Sequence, residues 1–447
     1  MANKNHKNRK KFYVTTAIPY VNAKPHIGFA LEIVQADVLA RWHRQKGDTT
    51  FFLTGADQHG SKIVRTAKEQ GRKIEDLVRE NTLAFKNLTQ VLNISNDNFI
   101  ETGDKKNHWP VAIAIWNRLQ ESGDIYKGKY RGLYCMGCEA FVAKKDLTQG
   151  KCPEHDKEPE VLEEENYFFR LSRYVEKIRG LIEKDELRVV PEERKKEILT
   201  LLKKGVGDVS FSRPRESLPW GIPVPHDDSQ VIYVWCDALI NYLSGDQKGF
   251  WPADAHCIGK GILRFHAGIW PAMLLSAGEK LPQTILVHGY ITSSGQKMSK
   301  SLGNVVDPIE LAEKYGASAV RYYLLREIPT TKDGDFSLKK FAERYNADLA
   351  NGLGNLINRS QNILKNVSSS QPKFFSEVDK YIESFELDQA LEFIWQKIRS
   401  ANKFIDDNRL WEAKDQKKIK ELKNLIAQIK FNLEPFLPET EWYYPRI

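Results

Sequence analysis

Three cysteines and a histidine form two close pairs in the stretches CMGC and CPEH. The first pair is Cys135 and Cys138, and the second pair is Cys152 and His155. One tight turn can present both ligands of a pair, and the connecting loop can bring the two pairs around a tetrahedral Zn²⁺. Thiolate and imidazole ligands favour zinc over magnesium or calcium. Because four protein ligands leave no position for water, we expect one structural zinc ion; free thiols beside an unrelated surface histidine are the alternative.

Two other stretches carry groups that could hold phosphate. In PHIG, His26 stands where a helix is expected to begin, and the unpaired backbone N–H groups of a helix start attract anions. Gly28 has no side chain, so a nucleotide can lie against its backbone. In KMSKS, Lys297 and Lys300 stand on a polar loop that could close over pyrophosphate and stabilise developing charge. Each stretch taken alone also suits an ordinary surface loop.

Strands and helices that alternate at the start of the chain would position these groups. KFYVTTA (11–17) and TTFFLTG (49–55) are rich in β-branched and aromatic residues, which predicts buried strands. Between them, apolar residues recur at helical spacing from Leu31 to Trp42, and Gly47 follows as a stop signal. This alternation is typical of a parallel α/β sheet, which binds ligands at the carboxyl ends of its strands.

The alternation breaks over about residues 123–165, helical stretches follow to about residue 204, and strand-like runs return at 231–235, 255–259 and 283–290. We therefore expect an insertion to split the parallel sheet, which then resumes. After Pro308 the pattern is helical. An apolar stripe near the end of the chain predicts an α-helical bundle and consists of Leu391, Ile394, Trp395, Ile398, Ala401 and Ile405.

Composition limits the classes of function. The 447-residue chain has 67 Lys and Arg against 59 Asp and Glu, a formal net charge of +8, which permits an anionic partner such as nucleic acid without requiring one. No apolar run approaches the roughly 18 residues that span a bilayer, and the basic start MANKNHKNRKK leads into no apolar signal core. We expect a cytoplasmic protein without a membrane segment, and core positions for Cys236 and Cys257.

The stretches HIGF (26–29) and KMSKS (297–301) follow the first and the last predicted strand, and together they resemble the signature motifs of class I aminoacyl-tRNA synthetases. Further stretches are similar to the methionyl-tRNA synthetase family in particular: AIPYVNAKPHIG, TGADQHG, YVWCDALINY, RFHAGIWPAML, VHGYI and the insertion with CMGC and CPEH. The similarity runs from about Lys11 through nearly the whole chain. It implies ATP-dependent attachment of L-methionine to tRNA(Met) through a methionyl-adenylate, with Mg²⁺ accompanying ATP.

The resemblance also implies roles for individual residues. The catalytic group would be His26, Gly28, Lys297 and Lys300, with Lys300 foremost. ATP would contact these residues and also His288, Gly289, Met298, Ser299 and Ser301. Methionine would be held by Ile18, Tyr20, Asp57, Trp235, Ala238, Tyr242 and His266, with Asp57 pairing with the substrate ammonium group and the Tyr242 hydroxyl approaching the sulfur. The tRNA anticodon would be read by Asn355, Arg359 and Trp411.

The expected fold class is α/β, with a Rossmann-like parallel sheet split by a zinc-bearing insertion and followed by an α-helical anticodon-binding bundle. The resemblance implies five segments in the chain. They are the first half of the catalytic domain, the connective insertion with the zinc knuckle, the second half of the catalytic domain, a stem-contact connector and the anticodon-binding domain, at 1–120, 121–228, 229–305, 306–340 and 341–447. No appended domain is visible after the bundle, which favours a monomer.

Three positions depart from the family pattern. Phe29 stands where the first motif ends in a second histidine, Leu239 replaces a common proline, and Gly261, in GKGI, replaces an aspartate. From Phe29 we expect slower adenylate formation. At Gly261 either water or another acid takes the place of the carboxylate, or amino-acid affinity falls. Two alternatives stay open: a class I synthetase for another apolar amino acid, and a catalytically weakened tRNA-binding paralogue.

Overall fold

The structure is a computed structural model that describes residues 10–135, 137, 140–142, 144, 147–153, 156–298, 303–364, 369–412, 415–438 and 444. The backbone alone is described at positions 130, 140, 141, 297 and 362. Five of the predicted site residues lie outside the described residues, namely Cys138, His155, Ser299, Lys300 and Ser301.

The first part of the chain alternates strands with helices as its apolar pattern predicts. The elements are β1 (Lys11–Thr16), α1 (Ile27–Lys46), β2 (Thr49–Ala56), α2 (Ser61–Glu69), α3 (Ile74–Val91), β3 (Asn98–Glu101) and α4 (Trp109–Glu121). Helix α1 ends at Gly47, which adopts a left-handed conformation (φ 93°) and donates its N–H to the last carbonyl groups of the helix. Glycine takes this conformation without a Cβ clash, so the predicted stop signal is confirmed.

The insertion is mainly antiparallel β-structure with short helices beside it. Its elements are β4 (Ile125–Cys135), β5 (Ala140–Val142), β6 (Glu160–Phe169), α5 (Val175–Glu183), β7 (Arg188–Val190), α6 (Glu192–Lys203), β8 (Val209–Ser210), β9 (Ser212–Pro214), β10 (Pro223–Val224) and β11 (Asp227–Ile232). One sheet has the order β5-β4-β6-β8 and another has the order β10-β11-β9.

The main sheet resumes after the insertion. The next elements are α7 (Val234–Leu239), α8 (Asn241–Ser244), β12 (Ala255–Gly259), α9 (Trp270–Ser276), β13 (Thr284–His288), β14 (Ile291–Ser293) and β15 (Gln296–Lys297). Within the described ranges, six parallel strands form the main sheet in the order β3-β2-β1-β12-β13-β7. The predicted α/β fold, with a parallel sheet that is interrupted and resumed, is therefore confirmed. The carboxyl ends of β1, β2, β12 and β13 lie at one edge.

Two local predictions were wrong. The run 231–235 is no strand of the main sheet, because β11 ends at Ile232, pairs antiparallel with β9 and β10, and is followed by α7. Its β-branched residues are buried between strands of the insertion, which gives the same apolar pattern as a parallel strand. Conversely, the region predicted to be helical contains β7, whose three residues are too few to form a pattern and are fixed by pairing with β13.

The C-terminal part is helical, as predicted. Its elements are α10 (Pro308–Tyr315), α11 (Ala317–Arg326), β16 (Gly334–Phe336), α12 (Leu338–Arg344), α13 (Asn355–Ile363), α14 (Ser376–Glu383), α15 (Leu387–Asp407) and α16 (Gln416–Leu433). Helix α15 buries the predicted apolar stripe. Strand β16 pairs with β14, which also pairs with β15, so a small sheet holds the chain up to Lys297, the first residue of KMSKS. Within the ranges described above, no helix combines the length and apolarity needed to cross a membrane.

Candidate active site

A cavity of about 690 Å³ opens at the carboxyl ends of β1, β2, β12 and β13. Every residue that the sequence predicts to bind methionine or nucleotide, and whose side chain is described, lines this cavity. These residues are Ile18, Tyr20, His26, Gly28, Asp57, Trp235, Ala238, Tyr242, His266, His288, Gly289 and Met298. Of the predicted lysines, Lys297 has a described backbone in β15, where it pairs with Thr292, another residue of the cavity wall. The cavity is where parallel sheets bind ligands.

His26 caps the helix that begins at the cavity. Its Nδ1 accepts the backbone N–H of Gly28 at 3.1 Å, so the neutral ring must carry its proton on Nε2, which is then available to donate. The ring reaches solvent, yet the surrounding protein displaces water from it and lowers the pKa of His26 below its usual value. A Cβ at Gly28 would lie 2.9 Å from the His26 ring. Gly28 therefore leaves room for the imidazole as well as for a ligand.

Phe29 occupies the position at which the family motif has its second histidine. Its side chain is 9% exposed and meets the ring of Phe85 edge to face, with the centroids 5.1 Å apart. The residue also forms part of the cavity wall. Position 29 thus contributes apolar packing.

Aromatic rings enclose one end of the cavity. Trp235 stacks on Phe265 with centroids 3.4 Å apart and meets Tyr20 edge to face at 6.3 Å. Ala238 and Ile18 complete an apolar wall here. Aromatic surfaces of this kind suit a polarisable thioether, which offers almost no hydrogen bonding. We call this part of the cavity, lined by Ile18, Tyr20, Trp235, Ala238, Tyr242 and His266, the apolar end.

The Tyr242 hydroxyl has a fixed hydrogen bond in the apolar end. His266 must donate from Nδ1, because Nδ1 lies 3.0 Å from the carbonyl oxygen of Ile262. Its Nε2 then accepts the Tyr242 hydroxyl at 2.7 Å. Burial lowers the pKa of His266 to about 4, which keeps this neutral form at physiological pH. The Tyr242 proton is thus directed to His266, and its oxygen is the part that can approach a ligand.

Asp57 lies where β2 ends and is 3% exposed. The backbone around it is joined to the loop after β1, because Asp57 N–H donates to Pro19 O at 2.9 Å and Val21 N–H donates to Asp57 O at 3.1 Å. Its carboxylate accepts the N–H of His59 at 3.2 Å. A buried carboxylate in this position can pair with an ammonium group through charge-assisted hydrogen bonds.

A buried network supports the wall that carries Trp235. The Asp237 carboxylate lies 2.6 Å from Nδ1 of His59 and 2.7 Å from Nε2 of His108. The other ring nitrogen of His108 contacts Ser244 at 2.7 Å. Burial alone would raise the pKa of Asp237, but the two imidazoles lower it to about 2. The ionised carboxylate therefore ties α7 to the loop after β2.

Another part of the cavity wall is polar, and most of it was not apparent from the sequence. We call it the polar end; it is lined by Glu32, His288, Tyr290 and Asp333. Glu32 Oε2 lies 2.9 Å from Nε2 of His288, whereas its buried Oε1 has no hydrogen-bond partner among the described residues. That oxygen can accept from a ligand hydroxyl. An acid within the apolar run of α1 was the one signal for Glu32 in the sequence.

The predicted anticodon residues also lie together, on the bundle. The Arg359 guanidinium group binds the Asp406 carboxylate and lies 5.7 Å from the ring centroid of Trp411. Asn355, one helical turn before Arg359, donates to Oδ1 of Asn402 at 3.3 Å. Trp411 is 54% exposed, so its ring can stack on an unpaired base. The hydrogen bond from Arg359 lowers the pKa of Asp406, which stays ionised.

The two described members of the predicted zinc set are both suited to ligation. Cys135 ends β4, where it pairs with Ala140 of β5. The carbonyl oxygen of Cys152 accepts the N–H of Asp156 at 2.8 Å. Both thiols are 2% exposed. Buried thiols are compatible with zinc ligation.

Comparisons with known proteins show the family of the chain. The family described as "tRNA synthetases class I (M)" matches residues 12–159 and 145–361. The methionine--tRNA ligase of Brucella suis biovar 1 is 44% identical over 418 residues, covering 90% of this chain and 79% of the relative. That of Caldanaerobacter subterraneus subsp. tengcongensis is 40% identical, covering 97% and 73%. The structure of Mycobacterium tuberculosis methionyl-tRNA synthetase in complex with methionyl-adenylate matches with a TM-score of 0.87 and 36% identity, covering 96% of this chain and 92% of that chain.

These matches extend over both halves of the main sheet, the insertion and the helical bundle. The same segments bring the apolar end, the polar end and His26 together in one cavity. The chain therefore belongs to the methionyl-tRNA synthetase family of class I aminoacyl-tRNA synthetases.

Proposed function

We propose that this protein attaches L-methionine to tRNA(Met) in two ATP-dependent steps. The observation that carries the proposal is the single cavity in which an aromatic, apolar end and a buried carboxylate meet a helix start capped by His26. An amino acid with an apolar side chain fits the aromatic, apolar end and the buried carboxylate. A nucleoside triphosphate fits the helix start capped by His26, because a helix start attracts phosphate.

In the first step, a carboxylate oxygen of methionine attacks the α-phosphorus of ATP, and pyrophosphate leaves. Asp57 holds the ammonium group, and the rings of Tyr20 and Trp235 cover the thioether. His26 donates from Nε2 to a phosphate oxygen, while Lys297 and Lys300 neutralise the leaving pyrophosphate, with Lys300 as the main group. Mg²⁺ bound with ATP would supply further neutralising charge. The chain thus acts by positioning and charge stabilisation.

In the second step, a hydroxyl of the terminal ribose of tRNA attacks the adenylate carbonyl carbon, and AMP leaves. Asn355 and Arg359 would bond to the edges of unpaired anticodon bases, and Trp411 would stack on one of them. Since Asp406 binds Arg359 in this structure, RNA binding must compete with that ion pair or use the face of Arg359 turned toward Trp411.

We also propose that the insertion binds one structural Zn²⁺ through Cys135, Cys138, Cys152 and His155. The buried thiols of Cys135 and Cys152 support this assignment, and the ion would stabilise a module that has little core of its own. We propose the domain division at the boundaries given above, with two catalytic halves, a connective insertion, a stem-contact connector and an anticodon domain.

We also propose that the protein is a monomer that acts in the cytoplasm. Sedimentation can test the oligomeric state, and cell fractionation can test the location.

Pyrophosphate exchange into ATP tests the proposed activity. We expect exchange with methionine and not with leucine, isoleucine or cysteine, followed by methionylation of tRNA(Met) transcripts. Exchange with a different apolar amino acid would identify a synthetase of another specificity. Binding of tRNA(Met) without exchange would identify a weakened paralogue, the alternative that Phe29 and Gly261 favour.

A further inference from the structure

Gly261 and Tyr290 share one small volume in the wall of the cavity. A Cβ built at Gly261 would lie 2.0 Å from the hydroxyl oxygen of Tyr290 and 3.3 Å from the ring carbon that bears it. Any side chain at position 261 therefore has to displace this hydroxyl. Both residues line the cavity, next to Ile262 and Asp333.

The ring and the backbone of Tyr290 are held by different neighbours. The Lys260 ammonium group lies 4.6 Å from its centroid and forms an ion pair with Asp333 at 2.7 Å. The other oxygen of Asp333 accepts the backbone N–H of Tyr290 at 2.8 Å. A Cβ at Gly289 would lie 2.3 Å from the backbone of Lys332, so the chain before Tyr290 is pressed against the Asp333 segment. These contacts fix the backbone of Tyr290 and cover one face of its ring, while the residue as a whole is 39% exposed.

The polar end has groups that suit a sugar. Glu32 lines it with a buried carboxylate oxygen that has no hydrogen-bond partner among the described residues. Ribose hydroxyls can donate to such an acceptor and accept from a phenol. The start of α1, capped by His26, suits the triphosphate. We therefore match the ribose of ATP to Tyr290.

We propose that Tyr290 is a further substrate-positioning residue whose hydroxyl, seated in the volume left by Gly261 and braced by Lys260 and Asp333, hydrogen-bonds a ribose hydroxyl of ATP. The proposal rests on the proposed function for the identity of the ligand. It also accounts for glycine at position 261: a Cβ there cannot coexist with the phenol in this place.

The test is a set of variants read by calorimetric titration with ATP, 2′-deoxy-ATP and 3′-deoxy-ATP. Tyr290→Phe should raise the Kd for ATP about fivefold to tenfold, as expected for one lost hydrogen bond. For the deoxy analogue that lacks the bonded hydroxyl, the same substitution should change Kd by less than about twofold. An equal penalty with all three nucleotides, or none with ATP, would overturn the proposal.

The coupling between the two positions gives a second, independent readout. Gly261→Ala should raise the Kd for ATP by about tenfold or more, because the phenol must move. In the Tyr290→Phe background the same substitution should raise the Kd for ATP only slightly, because the atom nearest to the new Cβ is then the ring carbon. Gly268→Ala is the matched control, because a Cβ there meets nothing within 4 Å. Additive losses would overturn the proposal. Absence of methionine-dependent exchange in the unmodified protein would refute the proposed function but leave these binding data interpretable.

Discussion

At the residue scale, the two nitrogens of His26 have separate tasks. Nδ1 caps α1, and Nε2–H is the group proposed to meet phosphate. We expect His26→Asn to preserve the cap, because an amide oxygen can accept the Gly28 N–H, while adenylate formation slows about 10²- to 10³-fold. His26→Ala should also lower the free energy of unfolding by about 1 kcal/mol. Pyrophosphate exchange and urea unfolding measure the two effects; normal exchange by His26→Asn would refute the catalytic role.

Also at this scale, the buried His266 makes stability depend on pH. Burial lowers its pKa from 6.5 to about 4, so the unfolded chain binds more protons between these values and stability falls as the pH falls through that window. Between about pH 7 and 5 this group accounts for a loss of about 2 kcal/mol. In urea unfolding, His266→Gln should lose that part of the pH dependence. The exposed His226→Asn is the control, and an unchanged slope in His266→Gln would contradict the prediction.

At the element scale, α7 depends on its anchors. A helix of six residues is unstable by itself, and the Asp237 carboxylate bonded to His59 and His108 keeps it in place beside the cavity. Asp237→Asn replaces one acceptor oxygen by a donor that faces an imidazole N–H. We expect a loss of about 3 kcal/mol in unfolding free energy and an increase of about tenfold in KM for methionine, with kcat little changed. Exposed Asp228→Asn should change neither; a selective loss of kcat in Asp237→Asn would argue against a positioning role.

At the scale of the whole molecule, one buried arginine joins the sheet to the bundle. Arg321, in α11, is 0% exposed, pairs with Asp37 of α1 at 2.7 Å and donates to the carbonyl oxygens of Leu92, Pro435 and Phe436. Because α1 begins at His26, this junction connects the C-terminal helices with the helix that starts at the cavity.

Arg321→Lys keeps the charge but cannot serve these separate acceptors. We expect it to lower the free energy of unfolding by about 3 kcal/mol and to reduce tRNA charging more than pyrophosphate exchange, since exchange needs the cavity alone. Arg399→Lys, on the exposed side of α15, is the matched control. Equal losses of charging and exchange would show that the junction stabilises the protein without coupling its parts.

Much of the site can be predicted from local sequence patterns, because these patterns locate the strands and the residues that follow each strand. Asp57 follows β2 directly, His26 ends the loop after β1, and the aromatic run 233–242 is recognisable by resemblance. Local patterns did not assign Glu32, Tyr290 and Asp333 to the site. Glu32 lies within an apolar helix, and Asp333 reaches the cavity through the pairing of β14 with β16, which joins segments about forty residues apart.

The sequence by itself determined the alternation of strands and helices, the ligand-binding edge of the sheet and the apolar stripe of α15, since periodicity and turn residues act over short distances. The tertiary structure alone decided that β7 joins the main sheet, that the run 231–235 does not, and that a phenol fills the volume beside Gly261. These outcomes depend on which segments, distant in sequence, pack against one another, and local residue patterns do not specify those partners.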